Sequence, residues 1–140
     1  MGQEFQTFFT SKGVIYQTSV PHTPQQNGHA KRFNQAILKK AEAMCQHACL
    51  SKAFWQDIVE TALYIYNRQP ICCHEWKTPI KLFNGKTPDA SYFRVFGCCA
   101  YVLISLEQQP DKLSPKSKEM IFIEYESNTK GWHFWSKTKH

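Results

Sequence analysis

Residues 23–48 read TPQQNGHAKRFNQAILKKAEAMCQHA, and the spacing within them decides how the chain is built. Ala30, Phe33, Ile37, Ala41, Met44 and Ala48 recur every three or four positions. That period stacks them on one face of a helix. Lys31, Asn34, Gln35, Lys39 and Glu42 fall largely off the stripe. The spacing predicts a helix over about residues 26–48, with an apolar face that needs a partner.

Outward from this helix the texture changes twice. Upstream, residues 4–9 are aromatic-rich and suit the end of a strand or a short helix. Ser11, Lys12 and Gly13 read as a turn. Residues 14–20 (VIYQTSV) are β-branched and aromatic, which predicts a strand. Pro21 and Pro24 must end it, because proline cannot donate to a ladder. Downstream, a second helix is expected over about residues 52–68, capped by Ser51 and closed by Pro70. Phe54, Trp55, Ile58, Ala62, Ile65 and Tyr66 form its predicted buried side.

Residues 70–91 are rich in Pro, Lys and Gly and read as loop, with a short helix near 80–83. Short β-like runs follow at 93–95, 99–104, 120–125 and 132–135, separated by turn-rich segments at 108–118 and 127–131. The pattern predicts a helical unit followed by a small antiparallel β-barrel or sheet, with the boundary at about residues 86–92.

Composition narrows the function classes. The chain has 140 residues, 42% hydrophobic and 20% charged, which excludes a disordered or collagenous polymer. No apolar run approaches the ~18 residues of a membrane span, so no membrane partner is expected. The first 20 residues show no basic start followed by an apolar core, so the expectation is an intracellular protein, nuclear or cytoplasmic, and not a secreted one. The six cysteines are then expected as free thiols. The net charge is +6, compatible with a polyanionic partner. It is spread out, with +4 over residues 1–90 and +2 over residues 91–140.

A series of motifs carries a resemblance. Residues 23–34 (TPQQNGHAKRFN) resemble the T-P-Q-Q-N-G-x-A-E-R-x-N signature of copia-type retrotransposon integrases. In family order follow 50–55 (LSKAFW), 62–70 (ALYIYNRQP), 77–79 (KTP), 82–88 (LFNGKTP), 93–101 (FRVFGCCAY), 112–117 (KLSPKS), 121–125 (IFIEY) and 130–135 (KGWHFW). The resemblance implies an α/β (α+β) chain. Residues 1–88 are expected to be the C-terminal part of an RNase H-like integrase core with two long helices. Residues 93–140 are expected to be the SH3-like β domain that follows it in the Pol polyprotein. It also implies an activity, the joining of element DNA to target DNA. Two Asp and one Glu hold divalent ions for that in-line displacement.

The chain departs from the pattern where that chemistry is made. The family's metal-binding Glu lies in A-E-R, and Lys31 occupies its position in Ala30-Lys31-Arg32. The flanking 25–28 (QQNG) and Asn34 fix the register. A protonated Lys has three donors and no acceptor. It also reverses the charge where cations must gather. Gly2, Gln3, Glu4 and Phe5 resemble the G-x-E-F that follows the family's second Asp, so that Asp falls before residue 1 of this sequence. No catalytic residue and no metal site are therefore expected. Intact members use Mg²⁺ or Mn²⁺; here no cofactor is expected. The reading is a truncated, degenerate integrase, catalytically inactive here, and the alternative is a domesticated interaction module without catalysis. Loss of the upstream strands would also leave helix faces exposed, with self-association as one outcome.

Weak, salt-sensitive DNA contact is the binding role that survives. Gln25, Gln26, Asn27, Lys31, Arg32 and Lys39 are its candidate residues, with Lys40 adjacent; a solvated helix surface would look the same. Cys45, His47, Cys49, Cys72, Cys73 and His74 include zinc-type ligands, but their spacing fits no familiar pattern, and small buried or surface thiols are expected instead. Cys98 and the trio Trp132, Phe134 and Trp135 are expected in the core of the β unit, although the aromatics would also suit base stacking.

Overall fold

The computed structural model describes residues 3–15, 20, 23–126 and 129–136. The chain divides into two compact units, Met1–Gln35 and Ala36–His140.

In the first unit, helix α1 (Gln3–Ser11) buries none of its residues. Thr7 and Thr10 donate their hydroxyls to the carbonyls of Gln3 and Gln6, four residues back, and Phe5 meets Phe9 edge-on at 4.6 Å. These are contacts within one helix, so nothing in them requires a partner element. The expected turn follows at Lys12 and Gly13. The strand expected at 14–20 falls mostly on residues 16–19, outside the described residues, as do Pro21 and His22; Val14, Ile15 and Val20 belong to no strand. A 3₁₀ turn (Pro24–Asn27) leads into helix α2 (Gly28–Ala48), which starts two residues later than the apolar spacing suggests.

The apolar stripe of α2 is covered along part of its length. Ile37 and Ala41 are buried, but Ala30 and Phe33 are exposed, which corrects the expectation of a continuous buried face. Within the second unit a 3₁₀ turn (Lys52–Phe54) opens helix α3 (Trp55–Arg68). Ser51 caps it as expected, its side chain accepting from the Ala53 N–H. Ile58, Thr61 and Ala62 line the buried side. Trp55 is 44% exposed and does not belong to it. Phe54, expected on the same side, does turn inward, edge-on to Trp135 at 5.1 Å. Helix α4 (Pro79–Asn84) is the short helix expected near 80–83, capped by Thr78 and ended by Gly85 at φ 72°.

Three strands make an antiparallel sheet in the order β1 (Cys99–Leu103), β2 (Ser117–Tyr125), β3 (Trp132–Trp135). Cys99 pairs with Ile121, and Tyr125 with Trp132. The run at 93–95 is not a strand. Its central backbone groups are taken by a side chain: the Tyr125 hydroxyl accepts from the Arg94 N–H at 2.7 Å and donates to the Arg94 carbonyl at 2.9 Å. With its only backbone N–H donor taken in this way, Arg94 cannot donate to a ladder. Cys98 is half-buried, Trp132 and Phe134 are half-buried, and Trp135 is 37% exposed, so β3 presents a partly covered face and not a full core.

The core of this unit joins helices to sheet. Ile37, Ala41, Ile58, Ala62 and Phe96 are buried together, with Met44, Ala48, Leu63 and Ile123 packed around them. A register shift between Phe122 and Glu124 interrupts the β2–β3 ladder beside Ile123. The Ile123 carbonyl instead accepts from the fully buried Thr61 hydroxyl at 3.1 Å. The bulge thus supplies a buried polar bond between α3 and the sheet. Gly97 closes the other side. Its N–H donates to the Phe122 carbonyl at 2.9 Å, its φ is 79°, and a Cβ there would stand 2.4 Å from the Ala48 Cβ. The apolar face of α3, which looked unpartnered in the sequence, is covered by β2 of the same chain. Among the described residues no helix is long and apolar enough to cross a membrane.

Candidate nucleic-acid interface

The residues singled out in the sequence lie at and after the start of α2. Gln25 sits in the 3₁₀ turn, and its carbonyl accepts the Gly28 N–H. Gln25, Asn27, Lys31 and Arg32 are exposed, and the Arg32 guanidinium lies back toward Gly28. The side chain of Gln26 lies outside the described residues. Neither Lys31 nor Arg32 forms an ion pair among the described residues. Lys39 is exposed too, but it belongs to the second unit whereas the other five belong to the first. Lys40 points elsewhere: its Nζ donates to Gln69 Oε1 at 2.7 Å and stands 5.1 Å over the Tyr66 ring. Burial lowers its pKa, so it is a packing cation and not a free one.

The position of Lys31 can be tested for the ion that the resemblance implies. An exposed ammonium without an acceptor lone pair offers nothing to a hard divalent cation. Among the described residues no group of three or more His, Cys, Asp or Glu side chains is arranged to hold a metal, and the six cysteines carry free thiols. The described residues do not fit the ion.

A second feature was not legible in the sequence. A cleft of about 370 Å³ lies at the end of α3, walled by the segment after α4, by the 3₁₀ turn Ala90–Tyr92 and by residues between β2 and β3. Aromatic stacking builds its base. Tyr64 stacks on Tyr125 with centroids 4.1 Å apart and planes 8° apart, and the Arg68 guanidinium carbon stands 3.4 Å from the Tyr64 centroid. At those distances the two neighbours take opposite faces of Tyr64. Tyr92 stacks on Trp132 at 4.5 Å and donates its hydroxyl to the Gly131 carbonyl at 2.9 Å. Burial raises the pKa of both Tyr92 and Tyr125, so both phenols stay neutral at ordinary pH. Asp89 caps the 3₁₀ turn, and its bonds from Ser91 lower its pKa. Arg68, Lys86 and Lys130 reach the same space. The clue within reach was the i, i+4 spacing of Tyr64 and Arg68; nothing local connects them to Lys130.

A titratable group lies beside the sheet. His133 bonds Glu126 through Nε2 at 2.6 Å and Glu124 through Nδ1 at 3.2 Å. The bond to Glu126 above all raises the His133 pKa. Burial, and then contact with Glu60, raises that of Glu124, while the Glu124 bond lowers that of Glu60.

The β unit defines the class: residues 98–140 match the retroviral polymerase SH3-like domain. The relatives give the family. The chain is 36% identical over 137 residues, 98% of its length, to the retrovirus-related Pol polyprotein from transposon TNT 1-94 of Nicotiana tabacum, covering 10% of that protein. It is 31% identical over 118 residues, 84% of its length, to the corresponding polyprotein from transposon RE1 of Arabidopsis thaliana, covering 8% of it. An uncharacterized mitochondrial protein of Arabidopsis thaliana matches at 31% over 87 residues, which is 62% of this chain and 69% of that protein. Over most of its length the chain is homologous to a segment of the retrovirus-related Pol polyproteins of copia-type plant transposons, and it spans about a tenth of the length of the polyproteins it matches. No solved structure matches it.

Proposed function

We infer that the chain is an integrase-derived segment of such a polyprotein, silent in strand transfer, that keeps a salt-sensitive contact with nucleic acid. The helical part is read as belonging to an RNase H-like integrase core. The family role is metal-dependent joining of DNA ends. The observation that carries the reading is Lys31, exposed near the start of α2 where the family pattern has its Glu. Exchange of an anion for a cation removes a metal ligand and adds a phosphate contact.

Calorimetric titration with Mg²⁺ or Mn²⁺, alongside a labelled-oligonucleotide joining assay, tests the silence. Both are expected to be flat, and metal-dependent joining overturns the reading. A gel shift in rising salt tests the binding. Lys31→Glu is expected to weaken it and to reduce its salt dependence by about one phosphate contact. The second reading, an interaction module without catalysis, is favoured by one observation: the unit Ala36–His140 covers α3 with its own sheet.

A further inference from the structure

Arg68, Lys86 and Lys130 line the cleft at the end of α3, and none forms an ion pair among the described residues. The carboxylates on the same rim are engaged. Asp89 accepts from the Ser91 N–H at 2.9 Å and from the Ser91 hydroxyl at 2.7 Å. Glu126 is bonded to His133 at 2.6 Å. The cations therefore exceed the acids in number, and the acids already have partners.

Arg68 is the centre of the arrangement. It is half-buried, with one face laid on Tyr64 and one N–H donated to the Tyr64 carbonyl at 3.2 Å. A guanidinium has five N–H donors in a fixed fork. Stacking holds this fork in place before any ligand arrives, so little rotamer entropy is lost on binding. A preset, partly desolvated fork that faces a concave space is a receptor for an oxyanion. The rest of the cleft is not anionic-ligand chemistry alone. Tyr64, Tyr92, Ile80 and Pro88 add apolar and aromatic surface. Its volume of about 370 Å³ suits one small ring with its anion. A duplex offers phosphates but no free ring face, whereas a nucleotide or a single strand offers both.

We propose that this cleft binds a phosphate ester that carries a planar ring, with the phosphate on Arg68, Lys86 and Lys130 and the ring against Tyr92, while Tyr64, covered on both faces, holds the Arg68 fork. The ligand is a nucleotide, free or within a single strand. The proposal rests on the nucleic-acid reading above for the kind of ligand, but not for its place in the fold.

The test uses the full chain and a short fluorescent oligothymidylate, read by anisotropy across a salt series. Thymidine monophosphate, inorganic phosphate, an unlabelled duplex and a phosphoserine peptide serve as competitors. Lys86→Gln with Lys130→Gln changes two exposed side chains, so the fold is expected to survive, as circular dichroism would verify. The double variant is expected to weaken binding about tenfold or more at low salt, and to reduce the salt slope by about 1.4 for two single-strand phosphates. Arg68→Lys keeps the charge without the fork and is expected to weaken it further. Thymidine monophosphate is expected to compete well and inorganic phosphate poorly. An oligonucleotide much tighter than the monophosphate identifies a single strand as the source, and equal affinities identify the free nucleotide. Equal competition by phosphate and nucleotide overturns ring recognition. Preference for the duplex or the phosphopeptide overturns the ligand class. Loss of binding with Lys31→Gln and Arg32→Gln, but not with the cleft variants, overturns the cleft and leaves the nucleic-acid reading standing. No binding by any chain or salt overturns both.

Discussion

Replacing Gly97 with alanine is expected to be among the most damaging single-methyl changes in this chain, and the structure separates its cost into two parts. Gly97 has φ 79°, and left-handed backbone costs a residue with a Cβ about 1–2 kcal/mol. Gly85 pays the same conformational cost at φ 72° but has nothing within 4 Å of its would-be Cβ. At Gly97 the added carbon would stand 2.4 Å from the Ala48 Cβ and 3.2 Å from its Cα, so the end of α2 must move. Overpacking of that kind costs about 1–3 kcal/mol. Gly85→Ala is therefore expected to lose about 1–2 kcal/mol and Gly97→Ala about 2–5 kcal/mol, a large share of a stability that is small for any domain. Urea unfolding of both variants, followed by tryptophan fluorescence and far-ultraviolet circular dichroism, measures the difference. Each kcal/mol is worth roughly 4–8 °C in Tm for a domain near this size. Ala48→Gly in the Gly97→Ala background removes the closest contact, so the two changes are expected to couple favourably by about 1 kcal/mol or more. Equal losses at Gly85 and Gly97, or purely additive behaviour with Ala48→Gly, would refute the steric account of the Phe96-Gly97-Cys98 turn.

Two more outcomes follow from the sheet. Tyr125→Phe keeps the ring stacked on Tyr64 but strands the Arg94 N–H and carbonyl, and is expected to cost about 1–3 kcal/mol by chemical denaturation; a loss under half of that lower bound would mean that water replaces the clasp. The Glu126 and Glu124 bonds raise the His133 pKa above its ordinary value near 6.5. Glu60 and Glu124, which lie in the same cluster, shift in opposite directions. A raised folded-state pKa means that His133 contributes stability in full below about pH 6.5 and loses it as pH rises through the folded value. The stability gap between wild type and His133→Gln should shrink from pH about 6 to about 8; a gap independent of pH would refute the ion-pair role.

Much of the local structure was legible in residue spacing. Helices α2, α3 and α4, the Ser51 cap and the three strands follow from apolar period, capping chemistry and turn residues, because these are properties of a few neighbouring residues. The run at 93–95 failed for a reason that lies 31 positions away, where a tyrosine hydroxyl takes both backbone groups of Arg94. Trp55 failed because the segment enters as a 3₁₀ turn, which leaves Trp55 44% exposed while its predicted companion Phe54 does pack on Trp135. The family resemblance was likewise readable from ordered motifs, and so was the ammonium at position 31, since identity at a position needs no fold.

What spacing could not convey is which distant groups meet. Thr61 looked like an ordinary polar residue on α3 until the β2 bulge presented the Ile123 carbonyl to it. Gly97 looked like a turn residue until the end of α2 came within contact distance. Arg68, Lys86 and Lys130 are separate charges along the chain and one cationic surface in space. Local preference depends on neighbours within a turn or two, and the chain itself states those. Convergence depends on how helix and sheet pack, and packing is settled by burial summed over the whole unit.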